Sequence, residues 1–215
     1  MTLDLATLVL RSGAHTSAAD GVSLMEAVSD LAGEPWSNSP SCTSAVIAAY
    51  ARSLNDWLPD AERQRLKAYI PKLVGTADPG LALRRAFACA DAAVRVFAPL
   101  ALAAAGLVEE ATKLRALAPV DRESAESARL AALSAESAAR SAASLSPWST
   151  AESMRSAAES ARSAARSAAS AALPESAQAA ARWAAESMRS APESVQAAAR
   201  SAAFELLDRL IAAAS

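Results

Sequence analysis

Histidine, cysteine and lysine are almost missing from this 215-residue chain, and glycine stops at Gly106. Each shortage excludes something. With His15 as the single histidine, no H-E-x-x-H zinc motif can exist, and any Ser-His-Asp arrangement would have to be built on that one imidazole. Cys42 and Cys89 are too few and too far apart for a disulfide framework or a zinc ribbon. No Gly-x-Ser-x-Gly elbow is present, nor a glycine-rich phosphate loop with its lysine. Lysine ends at Lys113, so every basic residue beyond 120 is arginine, and acids balance bases in both halves for a net charge of −2. That balance is not the basic surface expected of a nucleic-acid binder. Aromatic residues are only 4% of the chain, which leaves the core to Leu, Val, Ile and Met, mostly before residue 120. The N-terminus has an acid, Asp4, where a signal peptide has Lys or Arg. The most apolar stretch, 86–108, is broken by Asp91, Arg95 and Pro99 before it reaches the roughly 20 residues that span a bilayer. The expectation is a cytoplasmic protein with no membrane or nucleic-acid partner.

What fills the space is Ala, Ser, Arg and Glu. From Glu123 to Ala203 the chain contains almost nothing else, and prolines at 147, 174 and 192 divide it into four helical segments. Two blocks repeat: Ala151–Ala157 recurs as Ala185–Ala191, and Pro174–Arg182 recurs closely as Pro192–Arg200. The 34-residue offset of the first matches tetratricopeptide arrays, whose Trp, Gly and Tyr pattern is missing here. Glu152, Arg155, Glu159, Arg162 and Arg166 follow one helical stripe, and Ser156, Ser160, Ser163, Ser167 and Ser170 another. Small residues at that spacing let helices approach closely, though each contact buries little area. The larger residues Met154, Trp183, Met188 and Val195 are therefore the expected points of contact. The amphipathic tail, with Phe204 and Leu207, should dock on the first half or on a second subunit.

The first half carries all six glycines and reads as short helices joined by turns. Expected helices cover 2–11, 20–32, about 43–54, 59–69 and a long stretch from 78, which Pro99 should kink or restart; a last one covers 108–116. The fold expected is all-α: a compact multi-helix bundle over 1–119, then long Ala/Ser-rich helices over 120–215, arranged as hairpins or an extended bundle.

One polar constellation stands out: His15, Glu26, Glu34 and Cys42, with Asp20 nearby. As chemistry, His15, Glu26 and Glu34 could serve acid–base catalysis, or His15, Glu34 and Cys42 could bind a metal. As structure, His15 and Asp20 cap helix ends and Cys42 fills core space. No ligand-spacing motif supports the metal, and no cofactor is expected.

The pattern Gly13-x-His15, Leu24-Met-Glu-Ala-Val28, Ala32-Gly-Glu-Pro-Trp-Ser37, Pro40-x-Cys42 and Leu54-Asn-Asp56 resembles a family of uncharacterised bacterial and bacteriophage proteins, often with an Ala-rich tail. That family often has Cys where Ser23 stands and Asp-His where Asn38-Ser39 stand, so two potential ligands are absent here. The resemblance implies no activity. The functional expectation is a non-enzymatic scaffold or interaction protein that self-associates or binds a protein partner through small-residue faces. The alternative is a small enzyme or metal protein using the His15–Cys42 region.

Overall fold

The computed structural model describes residues 3–213, and among them every regular element is helical. The first expected helix does not form. Residues 5–7 make a single turn, and the chain then runs extended. Gln64 holds it there, accepting from the Leu10 amide at 2.9 Å and donating to the Leu10 carbonyl at 3.0 Å. The Arg11 amide also donates to the Val22 carbonyl, which delays the next helix until α1, Leu24–Leu31.

α2 spans Ala45–Trp57, and α3, Asp60–Arg63, passes through a 3₁₀ turn into α4, Ile70–Leu73. Pro71 does not end a helix here; it sits in the first turn of α4, where its missing N–H costs nothing. The helical path Pro79–Ala104 is continuous over 26 residues and includes α5, Ala82–Ala92, and α6, Ala98–Ala104. Between them Ala93–Phe97 widens into a π turn, because Pro99 has no N–H to offer the turn before it. By length and composition this helix could cross a membrane, but 67% of its most apolar window is buried under the other helices. α7 follows at Val108–Arg115.

The Ala/Ser region forms α8, Ala125–Leu145; α9, Trp148–Ala171; α10, Ala177–Arg189; and α11, Gln196–Ala212. Pro174 and Pro192 lead into α10 and α11 through short 3₁₀ turns. α8 buries Ala125, Ala128, Ala132, Ala135, Ala139 and Ala143 in one stripe against α9. α9 in turn packs on α10, α5 and α6, and buries Ser160, Ser163 and Ser167 completely. Its serines reach the facing backbone: Ser160 Oγ donates to the Ser187 carbonyl at 2.7 Å, and Ser167 Oγ to the Ala180 carbonyl at 2.8 Å. Ser187 Oγ returns a bond to the Ser160 carbonyl at 2.9 Å. A one-carbon side chain can make such bonds only where two helices lie very close. The charged stripe forms a second seam, with Glu136 of α8 between Arg140 at 3.1 Å and Arg162 of α9 at 2.8 Å.

The two compositional stretches share one core. α10 and α11 pack on α2 and α5, and a single apolar cluster runs from Leu8 to Leu210. Asp91 of α5, nearly buried, joins distant segments: it pairs with Arg95 at 2.9 Å and Arg209 of α11 at 3.2 Å, and accepts the Val120 amide at 3.2 Å.

Candidate functional site

Glu26 occupies the first turn of α1 and is 1% exposed. Both of its oxygens are engaged. Oε1 accepts the His15 amide at 2.6 Å, and Oε2 accepts the Ser23 amide at 2.8 Å and lies 2.9 Å from His15 Nδ1. A carboxylate at a helix N-terminus also complements the macrodipole. The indole of Trp36 donates to the His15 carbonyl at 2.9 Å, which fixes the loop from the other side. Gly21, at φ +144°, lies so close that a Cβ there would sit 2.5 Å from His15 Nε2. His15 and Glu26 are thus brought together as a carboxylate-oriented imidazole. The hydroxyls of Thr16 and Ser17 are occupied elsewhere, both donating to Asp20, at 2.6 and 2.8 Å.

Glu34 belongs to a different hydrogen-bonded group. It accepts from the Ser41 amide at 2.7 Å, the Ser41 hydroxyl at 2.8 Å and the Cys42 amide at 2.8 Å. These donors, led by the Ser41 hydroxyl, hold its carboxyl below the usual range. The half-buried Cys42 thiol lies 3.7 Å from Thr43 Oγ1. Among the described residues no three His, Cys, Asp or Glu side chains are grouped so as to hold a metal ion.

The larger residues of the second half make contacts within the chain. Met188 is buried, with its sulfur 3.8 Å from the Tyr50 hydroxyl. Phe204 lies under the Arg65 guanidinium at 4.1 Å and beside Tyr69, and Leu207 is fully buried. Trp183, half-buried, carries Arg166 over its ring at 4.5 Å. Met154 touches Ser146 at 3.3 Å, and Val195 packs at the edge of the core. α11 is further tied down by Tyr50, which donates to the Ala203 carbonyl at 3.1 Å, and by Arg85, which donates to the Leu210 carbonyl at 3.2 Å.

Several features escaped the sequence reading. Tyr50 and Cys89 share the deepest part of the core. Burial pushes the Tyr50 hydroxyl well above its ordinary pKa, and pushes the Cys89 thiol up to about 12. At the α8–α9 turn, Leu145 and Trp148 are 87% and 78% exposed. Two large apolar residues flanking Pro147 were the available signal for that patch. Comparison with family models, curated proteins and solved structures finds no match to this chain.

Proposed function

We propose that this chain is a non-enzymatic helical protein that self-associates through the outer face of α8. One observation carries the reading. Ser127, Leu130, Ser134, Ser137, Ser141 and Ser144 recur at alternating spacings of three and four and are all exposed. The stripe is uncharged and runs into the exposed Leu145 and Trp148. Apart from Leu130 it matches in composition and spacing the α9 serine stripe, whose Ser160 and Ser167 pack inside the molecule on α10. The inward Ala face of α8 is already used by α9, so the outer face is the one left to meet a second copy.

Sedimentation velocity over a concentration series tests this. The expected result is a discrete oligomer for the native chain. The double variant Ser134→Glu/Ser141→Glu, which sets like charges across a two-fold contact, should be a monomer of unchanged helix content. A native chain that stays monomeric at about 100 μM, or an oligomer indifferent to the two glutamates, removes the proposal.

The His15–Glu26 pair supports a second reading, a small enzyme using an oriented imidazole. Metal analysis of untagged protein and the effect of His15→Ala on any activity found would separate the two.

A further inference from the structure

Two polar atoms beside α1 are buried without a hydrogen-bond partner among the described residues: Ser23 Oγ and Asn38 Oδ1. Ser23 is the N-cap of α1 and is 3% exposed, and its amide donates to Glu26 Oε2 at 2.8 Å. Its oxygen is set toward the Glu26 amide in the manner of a capping box, but its proton has no acceptor. Asn38 lies in the loop after α1. Its backbone carbonyl accepts from Arg52 Nη1 at 2.9 Å, while the side-chain oxygen accepts nothing. Buried groups left in this state are rare in folded proteins and call for an explanation.

Both residues line the same small cavity, together with the start of α1 and with Arg52, Asn55 and Asp56 of α2. Measured bonds tie its walls together. Asn55 Oδ1 accepts the Leu24 amide at 3.3 Å, and Asn55 Nδ2 donates to Asp56 Oδ1 at 3.1 Å. Asp56 Oδ1 also accepts the Gly13 amide at 2.7 Å. The centre of a water molecule has about 10 Å³ to occupy in this space. That is about the least that admits one molecule, and far too little for an organic ligand.

The chemistry of the lining selects the occupant. The Ser23 hydroxyl needs an acceptor and Asn38 Oδ1 needs a donor, so the occupant must both accept and donate. A monatomic anion cannot donate, and it would face Asn38 Oδ1 and the Asp56 carboxylate. A monatomic cation would face the Arg52 guanidinium, with Asp56 as the one carboxylate in the lining. Arg52 and Asp56 stand one turn apart on α2 and bring opposite charges, so the lining favours neither sign of ion.

We propose that this cavity is the binding site of a single water molecule. The water accepts from Ser23 Oγ and donates to Asn38 Oδ1, and so fastens the loop after α1 to the first turn of that helix. The site is independent of any self-association through α8.

A high-resolution crystal structure of the native chain reads the site without any substitution. Density for one water within hydrogen-bond distance of both Ser23 Oγ and Asn38 Oδ1 is expected, and its absence would overturn the proposal. Urea midpoints of Ser23→Ala, Asn38→Ala and the double variant provide a second readout. Each single variant should lower the midpoint, and the pair should lower it by less than the sum, because the water is the only link between two side chains that share no bond. Strict additivity counts against the water. Exchanging sodium for choline, or chloride for gluconate, at constant ionic strength should leave the difference between native and double variant unchanged. A difference that follows sodium or chloride would assign the cavity to that ion instead.

Discussion

Ala164→Leu is the most direct test of how the second half is held together. Ala164 is fully buried on α9, one helical turn from Ser160 and close to Ser167. Those two serines make direct bonds to the α10 backbone at 2.7 and 2.8 Å. Three added carbon atoms have no room at that separation. If the helices hold their distance, overpacking costs about 1–3 kcal/mol. If they part, the three serine–carbonyl bonds across the seam are lost, at about 1 kcal/mol each. Either route gives a loss of about 1–3 kcal/mol, or roughly 2–12 °C in Tm for a chain of this size. Ser163→Ala at the same seam has the opposite sign. The Ser163 hydroxyl is buried without a hydrogen-bond partner, so removing it should raise stability by about 0.5–1 kcal/mol. Urea unfolding followed by circular dichroism measures both. An Ala164→Leu variant as stable as the native chain would show that the seam is not close-packed, and the reasoning from the serine bonds would fail.

Two further outcomes follow from the core and the His15 loop. Because burial raises the Cys89 thiol to about 12, its contribution is fully present below the ordinary thiol pKa near about 8.5 and is lost as pH rises toward the folded value. The Tyr50 hydroxyl, also raised by burial, adds a second loss beginning near its ordinary pKa of about 10. The urea midpoint should therefore be flat near pH 7 and fall above about pH 9, and Cys89→Ala should flatten the interval between about 9 and 10; a fall that survives this substitution counts against the assignment. Gly21→Ala places a Cβ 2.5 Å from the His15 ring at a strained φ of +144°, and should cost about 2–4 kcal/mol. In a double-mutant cycle His15→Ala should recover the steric part, and strict additivity would refute the contact.

Much of the candidate chemistry was legible as grouping and illegible as geometry. His15, Glu26, Glu34 and Cys42 are close enough in sequence to suggest one constellation. The structure resolves them into two hydrogen-bonded groups, because Glu34 is held by the Ser41 and Cys42 amides and Glu26 by the His15 and Ser23 amides. Backbone donors of this kind belong to every sequence, so their direction cannot be read from residue types.

The helices themselves were largely determined by the sequence alone. Helix propensity, proline punctuation and the N-cap at Asp78 act over a few residues, and α8 to α11 begin and end close to where those local signals place them. Residues 3–11 are one exception, because contacts from Gln64 override a local helical preference. Tertiary structure alone decided which faces meet. Alanine faces are interchangeable, each able to pack against any other for little energy, so a stripe of them states that a helix can be buried but not against what. That choice rests on a few long-range bonds that no periodicity encodes: Ser160 with Ser187, Tyr50 with the Ala203 carbonyl, Arg85 with the Leu210 carbonyl, and Asp91 with Arg209.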